Sequence, residues 1–195
     1  MQGNNAIELC GTWEKAPQFS HMAYGISYLT LQLKVERRSQ SVDILPIILR
    51  EDMWEENAPK LLCMQGQLRS YNRMVGDRPR LLLYTFVRSM AKGCEEGDNN
   101  TVTLSGELGN MPNVRFTPLG RRIADFLLRC DRGYGRCDIV PCIAWGQAAQ
   151  MIEGKGIGTQ IEIVGRLQSR DYQKLTQEGV QMRTAYEVSV KQLSI

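Results

Sequence analysis

The chain contains the same sequence pattern twice. NAIELCG at residues 5–11 lies over NTVTLSG at residues 100–106, and an offset of 95 positions continues without a gap to Leu49. Eleven of the 45 positions from 5 to 49 are identical. They include Pro17 on Pro112, Gly25 on Gly120, Arg37 on Arg132, Asp43 on Asp138 and Pro46 on Pro141. Most other matched positions in strand-like runs are apolar for apolar. A unit of this length is too long for a solenoid repeat and fits one small domain. The expected division is a first domain at 1–90, a linker at 91–99 and a second domain at 100–195. Domains this small bury modest cores, so pairing with another domain or chain is expected.

Charge follows the same division. Residues 1–94 carry 12 Lys/Arg against 9 Asp/Glu, and residues 100–195 carry the same numbers. Glu95, Glu96 and Asp98 bring the total back to +3. Each copy is mildly basic, which permits a polyanionic partner. No run of 18 apolar residues suggests a membrane span, and MQGNNAIEL lacks the layout of a secretory signal. Six cysteines occur without a CxxC pair or a histidine at ligand spacing. Cys130, Cys137 and Cys142 replace Val35, Val42 and Ile47 of the first copy, so they read as core thiols and no metal is expected. Reduced thiols and no signal point to the cytoplasm.

Alternation dominates each copy. A first strand ends at a bending glycine, Gly11 or Gly106, followed by a turn with Pro17 or Pro112. A second strand is expected at 28–35 and 123–130, and a third at 42–49 and 137–145. Pro46 and Pro141 fall in mid-strand, which suits an edge or bulge. A short helix should follow, within EDMWEENAPKLL in copy one and GQAAQMIEGKGIG in copy two. A fourth strand lies at 62–68 and 161–167. Polar loops at 69–79 and 168–181 lead to the last strand. The fold class expected is all-β with one short helix per domain. Its β-β-β-α-β-β order is that of two tandem OB-fold five-stranded barrels.

The second copy carries G-x-L-x-x-x-P-x-V-R-F-T-P-x-G, then a W-G at a strand end, then V-G-R-L-Q-S-R-x-Y, in that order. In these segments it resembles the bacterial single-stranded DNA-binding protein family, over about 90 residues. The first copy resembles it mostly through its match to the second. The resemblance implies an OB-fold that binds single-stranded DNA without a chemical reaction, and therefore no cofactor. By position it implies stacking by Tyr134, Trp145 and Tyr172. Ile139 stands where the family often has a further aromatic. Phe116, opposite His21 in the repeat, is a core-edge or surface candidate. Arg115, Arg121, Arg122, Arg132, Arg136, Arg166, Arg170 and Lys174 cluster around the same strands and are the phosphate-binding candidates.

In the first copy, Ser39 and Arg50 replace Tyr134 and Trp145, and the Tyr172 equivalent is either Tyr71 or Arg73. Its possible contacts are Arg50, Arg69, Tyr71 and Arg73. Trp13 and Trp54 read as packing residues. The family generally assembles four OB-folds, so two of these chains are expected to pair as a homodimer. The acidic recruitment tail usual in the family is absent after Ile195. A role in replication, recombination or repair in the bacterial cytoplasm, near the nucleoid, follows from the resemblance. Two alternatives stand beside it: a primosome-type accessory protein acting through protein contacts, and an RNA-binding OB module. An enzyme is not expected, because no His, Cys and carboxylate set supplies a nucleophile with a base. GKGIGT lacks phosphate-loop spacing.

Overall fold

The computed structural model describes residues 4–75, 78–91, 100–176 and 179–195. The first half contains β1 (Asn5–Trp13), β2 (Gln18–Ala23), β3 (Ile26–Glu36), β4 (Val42–Arg50), a 3-10 turn (Glu51–Met53), β5 (Leu61–Val75) and β6 (Arg78–Ala91). The second contains β7 (Asn100–Leu108), β8 (Asn113–Phe116), β9 (Arg122–Gly133), β10 (Arg136–Trp145), α1 (Gln147–Ile152), β11 (Gln160–Thr176) and β12 (Gly179–Ser194). The protein is therefore mostly β, as its alternation implies.

The two halves use the same pairings. β1 pairs antiparallel with β3 and β5. β3 continues to β4, β4 runs parallel to β6 at Ile47–Ile48, and β6 returns antiparallel to β5. In the second half β7, β9, β10, β12 and β11 repeat these pairings in the same order. β1 also pairs antiparallel with β7, which joins all twelve strands into one sheet. Ile7 faces Val102, Asn5 faces Leu104 and Leu9 faces Asn100. Since Val102 is the repeat equivalent of Ile7, a local two-fold axis passes through that pair. The halves meet as two copies of one chain would in an isologous dimer.

Alternate side chains point to one buried cluster, with Ile7, Leu33, Leu45, Leu68, Leu104, Leu128, Ile161 and Leu167 almost fully enclosed. Each contributes about 1.5–3 kcal/mol by leaving water. Register shifts at Gln65/Gly66 and Val164/Gly165 mark matching bulges. A side chain at Gly66 would strike the Phe86 carbonyl, and one at Gly165 the Ser189 carbonyl. Glycine is required there by close backbone approach. Pro46 and Pro141 precede the short parallel pairings that begin at Ile47 and Cys142, so neither proline has to donate to them.

Polar ties cross between the halves in matching pairs. Asp43 on β4 is fully buried and accepts from Arg37 Nε (2.9 Å), Arg166 Nη2 (2.9 Å) and the Ser169 backbone N–H (2.7 Å). Its equivalent Asp138 on β10 is also fully buried and accepts from Arg69 Nη1 (2.6 Å) and the Ser70 N–H (2.8 Å), with Arg132 Nη1 at 3.5 Å. Each aspartate thus holds a strand of the other half. The Asp43 hydrogen bond, with its charge, holds the Arg37 guanidinium more firmly protonated than usual, against the opposing effect of burial. Within each half, Asn5 exchanges hydrogen bonds with the Leu68 backbone and Asn100 with that of Leu167.

Several expectations are corrected. Each half has a further short strand, β2 or β8, where a turn was expected. β1 and β2 both pair with β3, so β2 continues the edge after the break at residues 14–17. The expected helix of copy one is a three-residue 3-10 turn. Met53, Trp54 and Ala58 of this segment pack against the core without a helix, and Trp54 turns onto Trp13, edge to face at 5.0 Å. The single α-helix among the described residues is α1. The polar loops expected at 69–79 and 168–181 are largely strand, because β5–β6 and β11–β12 extend as long hairpins. Most of the expected linker lies outside the described residues.

Cysteine chemistry also differs from the expectation. Cys10 and Cys63 occupy opposed positions on β1 and β5 and form a disulfide, so those two thiols are not reduced. Cys130 and Cys142 are buried as expected, but Cys137 is exposed at the start of β10. Burial pushes the Cys130 thiol up to about 12, and Cys142 also well above its ordinary value. At pH 8.5 both should stay protonated and resist alkylation, while Cys137 is accessible. Peptide mapping after brief iodoacetamide treatment should show Cys137 modified and Cys130 and Cys142 intact. Equal labelling of all three would contradict this burial pattern.

Candidate nucleic-acid interface

β8, the start of β9 and the end of β10 lie side by side in the second half. Trp145, the last residue of β10, pairs with Ile123 and is half-buried. Its Nε1 donates to Ser189 Oγ on β12 at 3.1 Å, which fixes the indole plane. The Arg121 guanidinium lies 5.4 Å from the ring centroid. On the opposite side of these strands by register, Phe116 ends β8 and is 61% exposed, with Arg122 5.4 Å from its centroid. Arg122 also bonds Glu153 at 2.8 Å, and Arg115 is held by Asp125 at 2.9 Å. Each ring, accompanied by a guanidinium, is a site suited to flat, anionic ligands.

The β9–β10 turn forms a second feature. Tyr134 and Gly135 both have positive φ, as a tight two-residue hairpin turn requires, and Tyr134 projects wholly into solvent. A groove here is lined by Arg69 from the first half and by Arg132, Tyr134 and Arg136 from the second. Tyr71 and Tyr84 stand edge to face at 5.6 Å on the neighbouring β5–β6 hairpin. The hydroxyl of Tyr84 is held above its ordinary pKa mainly by burial, while Arg132 and Arg69 oppose the shift. The cross-half folding thus brings first-half and second-half candidates to one place.

The other candidates lie along the hairpins. Tyr172 and Lys174 are half-buried on β11, facing Arg183 and Gln181 across the ladder. Arg170 reaches the nearly buried Glu187 at 3.4 Å. Arg166 is engaged by Asp43, as described above. Arg73 is exposed on β5 opposite Arg80, and Arg50 bonds Asp52 at the end of β4. The Tyr134–Arg136 groove and the neighbouring ends of β8 and β10 thus collect some candidates, while Tyr172 and Lys174 stand on the β11–β12 arm.

The sequence reading overlooked a row of rings on the first half. His21 stacks on Tyr28 at 4.9 Å, Tyr28 meets Phe86 at 5.6 Å, and the Arg88 guanidinium lies 5.3 Å from the Phe86 centroid. Tyr28 over Ile123 in the repeat was the available signal. Phe86 could be placed only once the bulge registers were known.

The chain is similar to known proteins in both sequence and fold. Residues 99–195 match the model of the "Single-strand binding protein family". The single-stranded DNA-binding protein of Paenarthrobacter aurescens is 33% identical over 104 residues, covering 48% of this chain and 59% of that protein. That of Mycolicibacterium smegmatis is 31% identical over 106 residues, covering 49% and 62%. The chain therefore spans less than two thirds of the length of these curated relatives. The wild-type single-stranded DNA binding protein from Thermus aquaticus aligns with 100% of this chain and 93% of its own, at 20% identity and a TM-score of 0.77. The two chains share a fold throughout, including the half outside the family match. Residues 99–195 belong to the single-strand binding protein family.

Proposed function

We propose that the protein binds single-stranded DNA with little sequence preference, by stacking bases on aromatic rings and neutralising phosphates. The observation carrying this reading is that Trp145 and Phe116 each stand with a guanidinium, Arg121 and Arg122 respectively, inside the part of the chain that belongs to the family. The circuits of paired strands support two OB-fold barrels, at 1–90 and 100–195, joined through a linker at 91–99. Nothing in this reading requires a reaction or a cofactor. Arg115, Arg121, Arg122, Arg132 and Arg136 would meet phosphates, with Arg170, Lys174 and Tyr172 on the hairpin arm. Arg166 and Arg69 would chiefly hold the halves together. The setting would be DNA replication, recombination or repair in a bacterial cytoplasm.

Phosphate contacts release counterions, so affinity should fall steeply with salt. With about six contacts, the expected loss between 50 and 200 mM salt is roughly 10³-fold. A flat plot of log K against log salt would remove the arginines from the path. A preference for oligo(rU) over oligo(dT) would instead favour an RNA ligand.

The intramolecular two-fold makes one chain equivalent to a dimer of single-copy chains. Two such chains would supply four copies, so a homodimer is the expected assembly. Light scattering should report twice the 22.1 kDa chain mass at micromolar concentration. A monomer that binds tightly would refute the four-copy assembly and leave the DNA-binding reading standing.

A further inference from the structure

In the repeat alignment the first half lacks the stacking candidate Trp145, because Arg50 occupies that position. The strand registers show what surrounds that change. Trp145 pairs with Ile123, and Arg50 pairs with Tyr28. Ile143 lies beside Ser189 in the parallel pairing, and Ile48 lies beside Phe86 in the equivalent one. Ser189 is also the residue to which the Trp145 indole donates. The three neighbouring positions thus read Trp145, Ile123 and Ser189 in one half and Arg50, Tyr28 and Phe86 in the other. Where one half has a ring between two small or aliphatic neighbours, the other has a cation between two rings.

His21, equivalent to Phe116, extends the row by stacking nearly parallel to Tyr28, with 10° between the planes. His21 is exposed, and Tyr28 and Phe86 are only partly buried. Phe19, on the same short strand as His21, is 64% exposed. Arg88 lies over Phe86, held by Gln67 Oε1 at 2.9 Å. A surface of open rings edged by guanidinium groups suits unpaired bases followed by phosphates.

We propose that the first half carries its own platform for the bases of single-stranded nucleic acid, made by His21, Tyr28 and Phe86 with Arg50 and Arg88. It rests on the reading that the chain binds single-stranded DNA, and it adds residues that the resemblance does not assign. The aromatic surface has moved to the neighbouring strands, and a strand crossing the two-fold meets rings in both halves. The footprint of one chain then covers both halves.

Photocrosslinking the intact chain to oligo(dT) containing 5-bromodeoxyuridine tests this directly. Adducts are expected on Tyr28, Phe86 or His21 as well as on Trp145. A Tyr28→Ile and Phe86→Ser double variant installs the residues of the second half. Its occluded length on poly(dT) should fall to about half, and its affinity for long oligonucleotides about tenfold or more, consistent with the loss of base stacking on each ring. Binding of short oligonucleotides through Trp145 should remain within about twofold, since that contact is untouched. Adducts confined to the second half, with an unchanged occluded length in the variant, would overturn the first-half platform alone. Failure of the wild-type chain to bind any single-stranded oligonucleotide would overturn the broader reading, and this inference with it. Crosslinking uses the wild-type chain, so it decides the matter even if the variant folds poorly.

Discussion

Replacing Asp138 with Ala should lower folding stability by about 3–5 kcal/mol, the usual cost of removing one partner from a buried ion pair. The carboxylate is fully enclosed and accepts from Arg69 and the Ser70 N–H of the opposite half. Without it, the mostly buried Arg69 guanidinium loses its carboxylate partner and a buried backbone N–H loses its acceptor. Asp43→Ala should behave similarly, because it removes a buried acceptor from Arg37, Arg166 and the Ser169 N–H. Urea denaturation followed by far-UV circular dichroism measures the effect. A loss under about 1 kcal/mol would mean that these bonds are weak in solution, as exposed pairs are.

Trp145→Ala should weaken single-stranded DNA binding by about 1–3 kcal/mol, or roughly five- to 150-fold, the range measured for one stacked base. The indole is already oriented by Ser189 and sits beside Arg121, so little ordering entropy opposes its contact with a base. The substitution should leave stability nearly unchanged relative to the core, since the ring is only half-buried. A folded variant with unaltered affinity would remove Trp145 from the interface. The Tyr134→Ala variant should show a smaller loss, because that ring is unsupported at the tip of its turn and must be ordered on binding.

The internal repeat made most of the strand order legible, because strand alternation and bending glycines occur in both copies. Gly66 and Gly165 sit at the bulges, where direct backbone approach requires glycine, and that reason was visible only in the structure. The hairpin arms were not legible. Residues 69–75 and 170–176 are held by ladder hydrogen bonds with much of both faces in solvent, so they lack the apolar alternation that marks a half-buried strand. The match of Asp43 with Asp138 was visible, but its reason was not, since each aspartate is satisfied by residues far away in sequence. Likewise, the first copy looked stripped of rings because only equivalent positions were compared. Tyr28 and Phe86 are brought together by β3, β4 and β6, which no local pattern reports.

The most direct measurement is a competition titration of the intact protein with a labelled oligo(dT), using unlabelled single-stranded and duplex DNA of equal length. The account predicts that single strands displace the label at concentrations at least tenfold lower than duplex, because stacking needs the exposed base faces that duplex DNA hides. Intrinsic tryptophan fluorescence should fall as the strand binds. Equal competition by duplex, or no binding of either, would contradict a surface built on Trp145, Phe116 and the rings of the first half.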